Sequence, residues 1–178
     1  MHQDYQYLTV PGLAGSGLKH WQTIWENKYL DRFKRVEQAN WDWPERDIWI
    51  ERLQEEIESQ TKPVILVAHS LGCLTVVHWA NHFSNDKVVG AMLVAPADAE
   101  KSRRLSFVKD FAPIPVTKLP FSSVVVASTD DIYATWERSH YFAELWGSDL
   151  VNVGQKGHIN ALSGLGDWPE GIQILQSL

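Results

Sequence analysis

Short apolar runs alternate with amphipathic stretches along the whole chain. The clearest run is Val64-Ile65-Leu66-Val67-Ala68, and several runs lack period-two alternation. That continuous character is typical of strands buried on both faces of a parallel sheet. The pattern predicts about six strands, over residues 5–10, 33–38, 63–68, 88–95, 122–127 and 150–153.

The stretches between these runs carry apolar residues at helical spacing. Trp21 and Trp25, for example, stand four residues apart, and Asp47 is the expected N-cap of the next helix. Helices are predicted over residues 20–30, 47–60, 73–82, 135–146 and 170–178, with a partly helical connector at 103–111. Strands that alternate with helices predict an α/β fold, a three-layer α/β/α sandwich around a mostly parallel sheet. Without repeats or linkers, residues 1–178 are predicted to form a single domain.

Composition and charge exclude several classes of function. The formal net charge is −6 and no basic run occurs, so nucleic-acid binding is not expected. No apolar run approaches the ~20 residues of a membrane span. The first six residues lack the basic and apolar regions of a signal peptide, so a cytoplasmic location is expected. Cys73 is the single cysteine, which rules out an internal disulfide.

A chemical motif follows the strand predicted at 63–68. Ala68-His69-Ser70-Leu71-Gly72 has the form of the G-x-S-x-G nucleophile elbow, with Ala68 in place of the first glycine. Small residues are needed on both sides because the turn from strand to helix is tight. The serine hydroxyl would then lie at the N-terminus of a helix, where backbone N–H groups can stabilise an oxyanion. The alternative is an ordinary serine N-cap after a buried strand.

A serine nucleophile needs a base and a carboxylate, and this chain offers both in the order Ser, Asp, His. His158 follows the last predicted strand in a glycine-flanked loop and is the expected base. The adjacent Asp130 and Asp131 follow the strand before it. Only one of the pair can orient the histidine, and the other is expected to cap a turn. Asp98, after an earlier strand, is a further candidate for the acid.

The loop at residues 12–17, Gly-Leu-Ala-Gly-Ser-Gly, follows the first strand. It has neither a Gly-Lys-Ser/Thr nor a G-x-G-x-x-G motif, which argues against a phosphate loop. In hydrolases the corresponding loop supplies half of the oxyanion hole. We therefore expect the backbone N–H groups of Leu71 and Leu13 to form the oxyanion hole, the alternative being a plain connector.

Three further residues are candidates for the substrate pocket. His20 begins a helix beside the glycine loop, where it either faces the pocket or caps the helix. Trp41 and Trp43 lie in a loop, as pocket wall or as core packing. His78 and His82 stand at i, i+4, but Trp79 occupies the position that a zinc protease gives to glutamate. A solvated helix face is therefore favoured there, and no metal is expected.

These motifs together resemble the retinoblastoma-binding protein 9 family of small, capless α/β-hydrolase-fold serine hydrolases. The resemblance rests on the glycine loop with His20-Trp21, Ala-His-Ser-Leu-Gly, Ser-Thr-Asp-Asp and Gly-His-Ile-Asn, and it spans nearly the whole length. It implies Ser70 as nucleophile, His158 as base and Asp131, the second of the two aspartates, as acid. Ile132 replaces the proline that usually follows that aspartate in the family.

The function predicted from these residues is hydrolysis of an ester-like acyl bond through an acyl-serine intermediate. No cofactor is expected, the expected partner is a small-molecule acyl substrate, and whether a protein partner exists stays open. Ester, thioester and amide bonds share this machinery, so the choice among them stays open. The alternative is an interaction module with weak catalysis. A nucleotide-binding α/β protein is disfavoured because the phosphate motif is missing.

Overall fold

A single parallel sheet forms the centre of the molecule, in a computed structural model that describes residues 4–178. Its neighbours pair in the order β2-β1-β3-β4-β5-β6, and every pair is parallel. The strands are β1 (Gln6–Val10), β2 (Phe33–Arg35), β3 (Val64–His69), β4 (Val88–Val94), β5 (Ser122–Ala127) and β6 (Asp149–Asn152). All six predicted strands are present, and because they are parallel their carboxyl ends share one edge.

Helices occupy the predicted intervals between the strands. They are α1 (Trp21–Lys28), α2 (Arg46–Ser59), α3 (Leu71–His82), α4 (Trp136–Trp146) and α5 (Pro169–Gln176). The connector after β4 contains two 3-10 turns, Arg103–Leu105 and Lys109–Phe111, as its partly helical pattern predicts. Two further 3-10 turns, Leu13–Gly15 and Ala161–Ser163, lie next to the predicted site.

The core divides into two clusters, one on each face of the sheet. Helices α1 and α5 cover one face, where Trp21, Trp25 and Leu175 pack on strand residues. Helices α2, α3 and α4 cover the other face, with Leu53 and Trp146 among its buried residues. The alternation of side chains along each strand sends successive residues to opposite faces. The molecule is therefore the predicted three-layer sandwich.

Two local predictions are wrong, and both fail because a distant residue intervenes. Asp47 is not the N-cap of α2: the helix begins at Arg46, whose backbone N–H donates to Asp110 Oδ2 at 2.7 Å. His78 is not solvated, because it is buried and its Nε2 lies 2.9 Å from the carbonyl oxygen of Phe111. Strand β2 is also shorter than predicted, since it pairs only with β1 and stops at Arg35.

No helix within residues 4–178 is long and apolar enough to cross a bilayer. The N-terminal residues 1–3, on which the signal-peptide argument partly depends, lie outside the described residues. The same described range contains no group of three or more His, Cys, Asp or Glu side chains placed to hold a metal ion.

Candidate active site

The turn between β3 and α3 has the geometry of a nucleophile elbow. Ser70 adopts φ 54° and ψ −120°, a conformation that a non-glycine residue takes only when its surroundings hold it. Its N–H donates to the carbonyl oxygen of Val94 at 3.0 Å, which ties the turn to β4. A Cβ atom on Gly72 would lie 2.0 Å from the backbone oxygen of Val10, so only glycine fits there. Ser70 thus lies in a strained turn at the N-terminus of the helix.

The glycine loop after β1 approaches this turn closely. A Cβ on Gly12 would lie 2.9 Å from the Cβ of Ser70 and 3.0 Å from the backbone N of Leu71. Over residues 4–178, the backbone N–H groups of Leu13 and Leu71 donate to no protein acceptor. Unpaired N–H groups in such a setting are rare unless they serve a ligand. Both predicted oxyanion donors are therefore free and lie on the two segments that meet at Ser70.

The three side chains of the predicted triad form one hydrogen-bonded chain. His158 Nε2 lies 2.8 Å from Ser70 Oγ, and His158 Nδ1 lies 2.7 Å from Asp131 Oδ2. An ionised carboxylate can only accept, so the hydrogen is on Nδ1 and the lone pair on Nε2 faces the serine. All three side chains are nearly excluded from solvent. This arrangement can remove a proton from the serine and stabilise the resulting imidazolium.

The two adjacent aspartates have different partners. Asp131 receives the His158 ring on one oxygen and the Tyr133 N–H on the other, at 2.8 Å. Asp130 accepts from Ser128 Oγ at 2.6 Å and from the Gly157 N–H at 2.7 Å. These hydrogen bonds, that of Ser128 first, lower the pKa of the Asp130 carboxyl. Asp130 therefore links the turn after β5 to the loop of His158, while Asp131 contacts the ring itself.

Asp98, the further candidate for the acid, lies in a separate ion pair. Its buried carboxylate accepts from Arg138 Nε at 2.6 Å, and Arg138 also reaches Glu100 at 2.7 Å. With its charge engaged by a guanidinium on α4, Asp98 fixes the start of the connector after β4.

A cavity of about 240 Å³ opens beside Ser70 and His158. Its wall is largely apolar, with Leu13, Leu105 and Leu162 among the lining residues, together with His20. The expectation that His20 either faces the pocket or caps α1 is met on both counts, because its Nδ1 also accepts from the Gln22 N–H.

The tryptophan loop has two predicted alternatives, pocket wall and core packing. Neither Trp41 nor Trp43 is among the lining residues of the cavity within the described part of the chain. The ring of Trp41 packs under Gly15 and edge-on to Trp49, so it is core packing. Trp43 is 71% exposed. The Trp41 carbonyl oxygen accepts from the Ala14 N–H at 3.2 Å, so this loop supports the glycine loop from outside the cavity.

Two histidines near the triad are held in the neutral form. Burial, followed by the nearby Arg35 charge, lowers the pKa of His20 to about 3. Burial likewise lowers the pKa of His69 well below its ordinary value, with His20 and His158 adding to the effect. His69 Nε2 is engaged with the His158 carbonyl oxygen, and neither ring is hydrogen-bonded to Ser70 within residues 4–178. His20 Nδ1 accepts from the Gln22 N–H, so its hydrogen is on Nε2, which is buried without a hydrogen-bond partner among the described residues.

Two residues of the site are not apparent from the sequence. The ring of Tyr133 lies over His158 with centroids 4.4 Å apart. Its place two residues after Asp131 was the one available signal. Leu105 enters the cavity from the connector after β4. Nothing in its local sequence distinguishes it from the other leucines.

Comparison with known proteins decides the family. The model of the serine hydrolase family matches residues 7–177. The chain belongs to that family. A YdeN-like hydrolase from Pectobacterium atrosepticum is 34% identical, with 98% of this chain and 90% of that chain covered at a TM-score of 0.87. The ydeN gene product of B. subtilis is 21% identical, with 98% of both chains covered at a TM-score of 0.82. No curated protein matches this sequence.

These likenesses confirm the resemblance to the retinoblastoma-binding protein 9 and YdeN group and the capless α/β-hydrolase fold. In this family member the connector between β4 and β5 carries only the two 3-10 turns. More distant structures share the fold. One of them is a monoacylglycerol lipase from Paleococcus ferrophilus, 14% identical, with 97% of this chain and 91% of that chain covered at a TM-score of 0.68.

Proposed function

We propose that the protein hydrolyses a small ester-like acyl substrate through a covalent acyl-Ser70 intermediate. The observation that carries this proposal is the hydrogen-bonded chain Asp131–His158–Ser70, which ends beside two free backbone N–H groups. Membership of the serine hydrolase family supports it. No cofactor takes part in this mechanism, because the chain's own side chains supply the nucleophile and the base, and its backbone N–H groups supply the oxyanion donors.

The reaction has two halves. His158 Nε2 takes the Ser70 proton as Oγ attacks the acyl carbon, and the N–H groups of Leu71 and Leu13 donate to the oxyanion. The imidazolium then protonates the leaving group, and the acyl-serine remains. Water, deprotonated by His158, attacks the acyl carbon; the bond from that carbon to Ser70 Oγ then breaks, the imidazolium returns its proton to Oγ, and the acid is released. Asp131 holds the ring tautomer and stabilises the imidazolium in both halves.

The cavity indicates a substrate with a short apolar group. Its volume of about 240 Å³ is below the roughly 300–1,000 Å³ of drug-sized ligand sites. Among the described residues that line it there is no Lys, Arg, Asp or Glu, so a charged acyl chain would find no ion-pair partner. We therefore place esters of short acyl chains first, ahead of long-chain esters and aminoacyl amides.

A fluorophosphonate probe tests the nucleophile directly. The folded protein is expected to be labelled at Ser70, and Ser70→Ala is expected to prevent labelling and to reduce kcat on an active ester by about 10⁶-fold. A panel of acetyl, butyryl and octanoyl esters, with matched thioesters and aminoacyl amides, then ranks the bond and chain length. A folded protein that resists the probe and cleaves no member of the panel would leave the interaction-module alternative.

A further inference from the structure

Residues 154–160, here called the histidine loop, carry His158. Two ring N–H groups from other elements donate hydrogen bonds to backbone carbonyls of this loop. His69 Nε2 lies 2.9 Å from the carbonyl oxygen of His158, and Trp21 Nε1 donates to the carbonyl oxygen of Ile159 at 2.8 Å. Because a carbonyl can only accept, the hydrogen of the His69 ring is on Nε2. Two consecutive carbonyls thus receive donors from two different elements, the elbow and helix α1.

The conformation at this point requires support. Ile159 has φ +47°, which is strained for a β-branched residue. Such strain persists only where the surrounding structure fixes it. Gly154 and Gly157 in the same loop also have positive φ, which glycine adopts at no steric cost. The two ring donors act at the strained residue and at the one before it.

Both donors are deeply buried and packed. His69, Trp21 and Ile159 are nearly or wholly excluded from solvent. The His69 ring lies between His20, at a centroid distance of 4.6 Å, and His158, at 4.9 Å. Water cannot replace a donor lost at such a depth, so a buried carbonyl would be left unpaired. The burial that keeps His69 neutral also leaves one ring nitrogen without a hydrogen, consistent with a single fixed tautomer.

We propose that His69 and Trp21 are positioning residues for the base, which together we call the carbonyl clamp. They fix the backbone at residues 158 and 159. The His158 imidazole therefore stays within hydrogen-bond distance of Ser70 Oγ while the imidazole gains and loses a proton. The clamp rests on the proposed function for its effect on rate. Displacement of a reacting group by 1 Å can reduce the rate by about 100-fold, so loss of one donor is expected to lower kcat by about 10- to 100-fold.

Helix α1 offers a matched pair of variants. Trp25 Nε1 donates to the carbonyl oxygen of Asp167 at 2.7 Å, outside the histidine loop, and its ring is as deeply buried as that of Trp21. Trp21→Phe and Trp25→Phe each remove one indole N–H and the same ring volume. We expect Trp21→Phe to lower kcat by about 10- to 100-fold with KM within about twofold, and Trp25→Phe to change kcat by less than about threefold.

Two substitutions at His69 separate the packing of its ring from the hydrogen bond that its N–H donates. His69→Phe keeps an aromatic ring and loses the N–H, whereas His69→Gln loses the ring and keeps an amide N–H at a similar reach. A clamp predicts that His69→Gln recovers most of the kcat lost in His69→Phe. If the packing of the ring mattered instead, the order would be reversed.

Hydrogen exchange provides a readout that does not depend on catalysis. Amides of residues 154–160 are expected to exchange faster in Trp21→Phe than in Trp25→Phe, at matched thermal stability. Equal exchange in the two variants, or an equal fall in kcat, would overturn the clamp. Failure of the proposed function would look different: the wild-type protein would resist the fluorophosphonate, while the exchange difference between the variants would remain measurable.

Discussion

The proposed nucleophile and the proposed base are held by different kinds of structure. Ser70 lies in a turn whose shape depends on its neighbours, with β3 before it, α3 after it and Gly72 at the closest approach. His158 lies in a loop whose supports come from far along the chain: Trp21, His69 and the aspartates after β5. The serine is therefore fixed by a contiguous strand, turn and helix and by backbone contacts with β1 and β4, whereas the histidine depends on side chains of distant residues. Changes remote from the reaction should affect the base more than the nucleophile.

Among changes to the supports of the two side chains, the largest effect is expected from the two aspartates after β5. Asp131→Asn removes the carboxylate that orients His158 and should lower kcat by about 10⁴-fold, or about 5.5 kcal/mol. Asp130→Asn keeps an amide oxygen that can accept from Ser128 and Gly157, so kcat should change by less than about tenfold. Steady-state kinetics on the preferred ester measures both. A larger loss in Asp130→Asn would mean that the acid has been assigned to the wrong residue.

The elbow itself should be intolerant of one methyl group. In Gly72→Ala the added Cβ would meet the Val10 backbone oxygen at 2.0 Å, so the free energy of unfolding should fall by about 3 kcal/mol or more. Gly90→Ala is the control, since its nearest backbone oxygen would be 3.4 Å away. That variant should change stability by only about 0.5 kcal/mol. Urea denaturation measures the free energy of unfolding of both variants. Equal stability of the two would contradict the close approach of Gly72 to the Val10 backbone.

The same contrast explains what the sequence could predict. The elbow was predictable because its strand, small residues and helix are contiguous. The Ser, Asp, His order places each residue after a strand, and parallel strands bring those ends to one edge. The sheet was predictable for a similar reason, since its strands are continuous apolar runs.

Features that depend on contact between distant segments were not predictable. The start of α2 is satisfied by Asp110, and the wall of the cavity includes Leu105 from the connector after β4. The choice between Asp130 and Asp131 rested on the family resemblance, because adjacent residues have nearly identical local sequence. The sequence left pocket wall and core packing open for Trp41, because packing under Gly15 is a tertiary contact.

Acid should destabilise the side of the sheet that carries His20. Its pKa is about 3 in the folded protein, against about 6.5 in an unfolded chain. As the pH falls below 6.5 the unfolded chain binds a proton that the folded protein excludes, so stability falls, by about 2 kcal/mol at pH 5 for this group. His20→Asn keeps a side-chain acceptor for the Gln22 N–H and removes the titration.

The measurement is the difference in free energy of unfolding between pH 7 and pH 5. It should be smaller in His20→Asn than in the wild-type protein by about 2 kcal/mol. His140→Asn is the control, since this residue lies on the exposed face of α4. An unchanged pH dependence in His20→Asn would show that the His20 ring accepts a proton without loss of structure.

The smallest effect is expected at Trp43. It lies outside the cavity lining and is 71% exposed, so Trp43→Ala should leave kcat and KM within about twofold and stability within about 0.5 kcal/mol. Leu105→Ala is the informative counterpart, because this buried side chain lines the cavity and its loss should raise KM for short-chain esters. A tenfold rise in KM for Trp43→Ala would show that the tryptophan loop closes over bound substrate. Trp43 would then belong to the substrate pocket.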